Sequence, residues 1–274
     1  MGLGLGINTN IPSINNQNTL NKLQTPIQSN LQKLSSGSRI NSAKDDAAGL
    51  AIVERFAGQI MAASQGQRNL SDGISMVQTG EAYAADIQDY TQRARELAVQ
   101  SSNGILSDSD RSALQQEYQQ IQKEVTRITD SAEFNGQKLF NQDKELNMQI
   151  GGNEDGSVNL KTHNLQSQMS DFLSSDISTP DGANASLKIL DETQEMVNSV
   201  RVDYGAMNNR FESVISNQSN KALNLENAKS RIMDTDYAKQ TSELTRNMIL
   251  NDFAMTMQGH ANSAQGHVMK LLQA

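Results

Sequence analysis

Few residues of this 274-residue chain have the types and spacing that chemistry needs. Lys44-Asp45-Asp46 sets two carboxylates side by side, the arrangement of a general acid/base pair. The same residues precede Ala47-Ala-Gly-Leu50, and the helix dipole favours acidic groups at a helix start, so they read as a helix entry. His260 and His267 stand seven apart near the C-terminus. Chelating histidines on a helix sit closer, as in a His-x-x-x-His pair, so a packed or solvated pair is the better reading. Gly2-Leu-Gly-Leu-Gly6 has the wrong glycine spacing for a dinucleotide fingerprint and no strand before it. There is no cysteine and no His-Glu-x-x-His run, which removes thiol nucleophiles, Cys-ligated zinc and a helical zinc protease. The chain is expected to hold no catalytic residue, metal or cofactor, and not to be an enzyme.

Composition narrows the remaining classes. Only 4% of the residues are aromatic and there is no Trp, which argues against an ordinary globular core of this size. Three prolines in 274 residues suit long uninterrupted helices, since proline breaks helix interiors. The net charge of -8 and the pI near 4.9 speak against a general nucleic-acid binder. No run approaches the ~20 apolar residues of a membrane span. The first twenty residues lack a basic start and an apolar core, so no cleaved signal peptide is expected.

Two long periodic arms must position whatever the chain uses. Phe56, Ile60, Ala63, Gln67, Leu70, Ile74, Val77, Glu81, Ala84, Ile87, Thr91, Ala94 and Ala98 follow the 3-and-4 alternation of a coiled-coil-like seam. A helix over 50–98 would be about 70 Å long, too long for a compact domain. A break at Ser101-Ser-Asn-Gly104 precedes a second helix, capped at Ser107 or Asp108 and running to about residue 130. Leu146, Met148 and Ile150 alternate before Gly151-Gly-Asn-Glu-Asp-Gly156, and Val158 and Leu160 alternate after it, which predicts a β-hairpin. Ser178-Thr-Pro-Asp-Gly182 reads as a turn. Beyond it, Leu190, Val197, Tyr204, Phe211, Leu225 and Ile232 keep a heptad, with Gln218 its one polar member. The companion register (Leu187, Gln194, Arg201, Asn208, Ile215, Ala222, Lys229) is mixed, which suits a small bundle. The fold class expected is mainly α, a long antiparallel helical rod or bundle with a small β-hairpin region in the middle.

The two ends carry narrow apolar stripes on polar segments. Leu20, Leu23, Ile27, Leu31 and Leu34 form one; Ile249, Phe253, Met257, Ala261, Ala264, Val268 and Leu271 form the other. Five such side chains cannot offset the backbone entropy of ordering about 35 residues. The ends are therefore expected to be disordered in a free monomer and helical once other copies bury the stripes. Met248, Met255, Met257 and Met269 cluster in the last helix, where adaptable side chains suit subunits that switch packing.

These residues resemble a known family. Leu34-Ser-Ser-Gly-Ser-Arg-Ile-Asn-Ser-Ala-Lys-Asp-Asp-Ala-Ala-Gly49 is similar to the N-terminal signature of bacterial flagellins. So are Asn69-Leu-Ser-Asp-Gly-Ile-Ser75, Arg93-Ala-Arg-Glu-Leu-Ala-Val-Gln100 and Phe134-Asn-Gly-Gln-Lys-Leu139. In the other half, Asn209-Arg-Phe-Glu-Ser213, Ala228-Lys-Ser-Arg-Ile-Met-Asp-Thr-Asp-Tyr-Ala238, Thr245-Arg-Asn-Met-Ile-Leu250 and Val268-Met-Lys-Leu-Leu272 resemble the same family. The likeness covers about 1–140 and 185–274, so the chain looks like a short flagellin without the variable outer domains.

The resemblance implies a coiled-coil-like inner domain built from both ends, with 1–45 and 235–274 contributing, and a rod domain from 46–182 and 183–234. It implies a structural subunit that polymerises into the bacterial flagellar filament for motility; a hook–filament junction protein is the alternative. The implied partners are further copies of the chain, the flagellar cap and hook-associated proteins, a cytosolic export chaperone, the flagellar type III export apparatus and vertebrate Toll-like receptor 5. The implied location is extracellular, in the filament, after export without cleavage. Receptor recognition carries over to Arg93, Leu97 and Glu117, which the same reading also places in subunit contacts. Arg93 and Leu97 are i and i+4, and so are expected on one face. Pro26 falls where relatives are helical and is expected to delay or kink the first helix, and the chain ends in Gln273-Ala274 rather than a basic residue.

Overall fold

The computed structural model describes residues 9–152 and 156–272, apart from the side chains of 265 and 268–272. The glycines of 2–6, the centre of the 151–156 turn, Gln273 and Ala274 lie outside the described residues. Along the chain run α1 (Ile11–Ser36), α2 (Ala47–Ser101), α3 (Asp108–Ser131), β1 (Glu133–Phe134), β2 (Gln137–Lys138), β3 (Lys144–Gln149), β4 (Ser157–Thr162), α4 (Leu165–Gln168), α5 (Ser170–Ser174), α6 (Pro180–Met233) and α7 (Tyr237–Leu272). Two compact units form, one from 1–57 with 225–274 and one from 58–224. Both divisions fall inside long helices, whereas the sequence placed them near 45/46 and 234/235. Packing, and not a helix end, defines a compact unit.

In the first unit the ends of the chain meet. Asn10 caps α1 by accepting from the Ser13 backbone N–H at 3.0 Å. The helix then runs unbroken through Pro26, which neither delays nor interrupts it, although the Lys22 carbonyl loses its donor there. Gly37 ends α1 at φ 69, the left-handed conformation that glycine adopts without strain. There the chain is tied to the α6–α7 junction: Arg39 N–H donates to the Met233 carbonyl at 2.6 Å and Thr235 N–H to the Gly37 carbonyl at 2.9 Å. Tyr237 Oη donates to the Leu34 carbonyl at 3.1 Å. The two carboxylates of Lys44-Asp45-Asp46 are helix-entry groups. Asp46 Oδ1 accepts from Gly49 N–H at 2.8 Å, while Asp45 gathers the N–H groups of Asn41 and Ser42 at 3.1 and 3.0 Å. Those hydrogen bonds, the one from Asn41 foremost, hold the Asp45 carboxyl below its ordinary range.

The second unit packs α2, α3 and α6 around one apolar core. The expected seam of α2 is buried or half-buried at all thirteen positions from Phe56 to Ala98. Leu190, Val197, Tyr204 and Phe211 of α6 are buried against it, and the mixed companion register is half-buried throughout. The pairs Arg95–Asp191 at 2.8 Å and Glu81–Arg201 at 3.8 Å show that α2 and α6 run antiparallel. Three glycines one heptad apart on α2 create the space between elements. A side chain at Gly66 would meet the Ile150 carbonyl, one at Gly73 the Met148 thioether, and one at Gly80 the Tyr204 ring. The strands β3 and β4 pair antiparallel, Leu146 with Leu160 and Met148 with Val158, as the alternation predicts. Asn69 Nδ2 and Gln218 Nε2 then donate to the Gln149 and Ile150 carbonyls, at 2.7 and 3.2 Å, fixing the hairpin to both long helices.

Two local readings need correction. Ser178–Gly182 is not a free turn but the start of α6. Thr179 Oγ1 accepts from Gly182 N–H at 3.1 Å, and Pro180 occupies the first helical position, where its missing N–H removes nothing. A second hairpin, β1–β2, turns through Asn135 and Gly136 at φ 49 and 78. Asn-Gly between two short extended runs is a signal for such a turn, and it stood in the motif Phe134–Leu139.

Candidate assembly surface

The helices α1 and α7 pair antiparallel along a seam in which polar and apolar residues are mixed. On α1 the positions turned to α7 are Ser13, Asn16, Leu20, Leu23, Ile27, Asn30 and Leu34, at 3-and-4 spacing. On α7 they are Gln240, Leu244, Asn247, Asn251, Ala254, Gln258 and Ala261, also at 3-and-4 spacing. Hydrogen bonds cross the seam from Gln240 Nε2 to Asn30 Oδ1, from Gln258 Nε2 to Ser13 Oγ, and from Asn10 Nδ2 to the Ala261 carbonyl. Asn30 Nδ2 and Gln258 Oε1 are buried there without a partner among the described residues. A seam of carboxamides specifies register but contributes little net stability, because each amide gives up water for one bond.

The two apolar stripes therefore differ in role. Leu20, Leu23, Ile27 and Leu34 are half-buried against α7 of the same chain, and Leu31 is half exposed. Ile249, Phe253 and Met257 face away from α1, with exposures of 50, 66 and 55%. At i, i+4 and i+8 they line one flank of α7, joined by Leu250. Met248 and Met255, a heptad apart, lie exposed on another flank. Val268, Met269 and Leu271 belong to α7, but their side chains lie outside the described residues. An apolar face this long on a helix whose inner seam is polar is not a monomer's surface. It can do one kind of chemistry: burial against other apolar helices.

The polar seam is testable. Replacing Asn30 and Gln240 together by Leu removes both members of a buried polar pair, a change that is neutral to stabilising when the site stays filled. The pair α1–α7 in the isolated chain is expected to gain about 1 kcal/mol and the chain to gain helicity by circular dichroism. A fall in helicity would show that the carboxamides hold the seam.

The three residues proposed for receptor contact do not share a surface. Arg93 donates from Nε and Nη2 to Glu117 Oε1 at 3.2 and 2.7 Å, and from Nη1 to Glu96 Oε2 at 2.9 Å. About half of each of Arg93 and Glu117 is exposed, so the pair is an open bridge from α2 to α3. Leu97 is 1% exposed and belongs to the core. Four residues turn a helix by slightly more than one full turn, enough to carry Leu97 under the surface where Arg93 lies above it. His260 and His267 are both exposed, and no group of three His, Cys, Asp or Glu lies close enough to hold a metal among the described residues. No described helix is long and apolar enough to cross a membrane.

Comparison with known proteins agrees with this arrangement. The family model of the bacterial flagellin N-terminal helical region matches residues 7–145, and that of the bacterial flagellin C-terminal helical region matches 187–272. The flagellin of Halalkalibacterium halodurans is 39% identical over 270 residues, covering 97% of this chain and 99% of that one. The flagellar filament 30.7 kDa core protein of Treponema maltophilum is 36% identical over 282 residues with the same coverage. The crystal structure of Bacillus cereus flagellin is similar with a TM-score of 0.51 at 27% identity, over 55% of this chain and 88% of that one. Both α1 and α7 fall within the matched regions, and the internal unmatched stretch, 146–186, holds most of the β3–β4 hairpin, α4, α5 and the start of α6. With paired terminal helices, an outward apolar face on α7 and near full-length identity to flagellins, the chain belongs to the bacterial flagellin family.

Proposed function

We propose that the chain is the repeating structural subunit of a bacterial flagellar filament, joined to its neighbours through the outward apolar face of the α1–α7 pair. The observation that carries this is the division of α7: its small and carboxamide residues, with Leu244, face the chain's own α1, and the large apolar Ile249, Phe253 and Met257 face outwards. The polar seam is too weak to order the ends alone, so the terminal helices form as copies bury one another's flanks. The exposed methionines allow more than one packing of the same face, which suits a filament that switches form. Flagellins and a filament core protein match over nearly the whole chain, which favours the filament over the hook–filament junction. Partners follow from the same reading: cap and hook-associated proteins at the filament ends, a cytosolic chaperone on the C-terminal segment, and the flagellar type III export apparatus. The filament lies outside the cell. Purified chain, heat-dissociated and cooled with short filament seeds, is expected to elongate them under the electron microscope. Absence of elongation, or growth only as short stacks on hook ends, would move the assignment to the junction protein.

Recognition by vertebrate Toll-like receptor 5 is a second role we propose for the Arg93–Glu117 bridge, supported by its exposure and by the flagellin signature around it. Arg93→Ala is expected to lower receptor-reporter signalling by about tenfold, the loss of one charged anchor. Because an exposed ion pair contributes at most about 1 kcal/mol, the fold should survive the change. Unchanged signalling would contradict the role.

A further inference from the structure

Ile105 is the most exposed large apolar side chain among the described residues, at 88%. It sits in the turn between α2 and α3, and that turn is built to hold still. Arg111, itself 5% exposed, donates from Nε to the Ser101 carbonyl at 3.1 Å, from Nη2 to the Asn103 carbonyl at 2.9 Å and from Nη1 to the Leu106 carbonyl at 2.9 Å. Ser107 and Asp110 close the other side with a reciprocal capping box. A buried guanidinium satisfying three carbonyls leaves the turn little freedom to lose on binding, and preorganisation of this kind favours a contact site. Around Ile105 the exposed charge is acidic. Asp108 and Asp110 are exposed, and the one cation in 99–112 is the buried Arg111, which reaches Asp108 at 3.4 Å.

A complementary feature lies elsewhere on the same unit. A cavity of about 290 Å³ has Leu160, Tyr204 and Met207 among its apolar lining, with Lys161, His163 and Arg210 on its rim. Arg210 is exposed and makes no hydrogen bond or ion pair among the described residues. Asp203 is the one acid in the lining, and it stands 3.6 Å from His163 Nε2, while Lys161 pairs in the open with Glu145 at 3.6 Å, which leaves Arg210 as the lining's unpaired cation among the described residues. Another cavity on this unit, over Ser75, Thr79 and Tyr83, carries an acid, Asp86, and no cation, so it would repel an acidic turn.

We propose that Ile105 of one copy seats in the Leu160–Tyr204–Met207 cavity of a neighbouring copy, with Asp108 and Asp110 set against Arg210 and Lys161. This rests on the filament reading above. A knob at one place on a chain and its socket at another make a heterologous contact, which builds an open polymer where its rotation does not close a ring, as a filament requires. The chain's lack of cysteine makes the contact directly testable. Filaments of a variant carrying both Ile105→Cys and Met207→Cys, treated with a short bis-maleimide, are expected to yield a ladder of linked chains. Filaments copolymerised from the two single variants should yield linked dimers. Ile105→Asp is expected to raise the critical concentration for elongation about tenfold, with the thermal unfolding of the isolated chain unchanged, and Ile105→Leu should restore it. No cross-linking in intact filaments, or elongation of Ile105→Asp like that of the unsubstituted chain, would overturn the contact and leave the filament reading standing. Failure of the unsubstituted chain to elongate seeds would overturn both.

Discussion

Phe253→Asp is expected to abolish filament elongation while leaving the isolated chain folded as before. Phe253 is 66% exposed and faces away from α1, so its removal takes little contact from the monomer. In the assembled state the ring would be buried, a gain of about 1.5–3 kcal/mol that is lost with it. The carboxylate must also leave water without a partner, which costs several kcal/mol more. Together these raise the critical concentration by at least about a thousandfold, since each 1.4 kcal/mol is tenfold. Sedimentation of seeded reactions reads the effect directly. Phe253→Leu, which keeps most of the apolar area, should elongate at close to the normal concentration. Elongation of Phe253→Asp at that concentration would mean that α7's outward flank is not the assembly surface.

The second large effect is expected at Gly66. Its Cβ would run into the Ile150 carbonyl, which is backbone and cannot rotate away. Gly66→Val must therefore push the β3–β4 hairpin off α2, and with it the bonds from Asn69 and Gln218 that secure it. Overpacking with a backbone shift destabilises by about 3 kcal/mol. At ~2–4 °C per kcal/mol for a unit of this size, the melting transition should fall by roughly 10 °C. Gly73→Ala supplies the contrast. There the new methyl meets the flexible end of Met148, and the loss should stay near 1 kcal/mol. Equal melting temperatures for the two variants would show that the hairpin is not seated on the glycine heptad.

How much of this was legible in the sequence depends on which physical rule each feature obeys. The α2 seam, the α6 heptads and the β3–β4 alternation follow single periodicities, and each is found where the spacing places it. Ser107 caps α3 because the reciprocal partner, Asp110, stands three residues on. The i, i+4 relation of Arg93 and Leu97 predicts a shared face, but the turn it describes slightly overshoots and carries the leucine into the core. The deepest gap concerns α7. Its apolar stripe is plain in the sequence, but periodicity reports only that Ile249, Phe253 and Met257 are to be buried, not by which chain. Of the positions that meet α1, Gln240, Asn247, Asn251 and Gln258 are polar and only Leu244 is a large apolar residue, so that face carries a weak hydrophobic signal, and Ala261, which the stripe includes, turns towards α1. A pattern-based reading pairs the two stripes; the structure pairs one stripe with a mixed line of carboxamides, alanines and Leu244, and turns the large residues of the other outwards.

The central claim is that the terminal helices are secured by neighbours and not by their own seam. Amide hydrogen exchange across the chain, compared before and after seeded elongation, tests it most directly. Weak protection is expected over 11–36 and 237–272 in the free chain, strong protection over 58–224 in both states, and a rise confined to the terminal helices on assembly. Full protection of α1 and α7 in the free chain, unchanged in the filament, would contradict it.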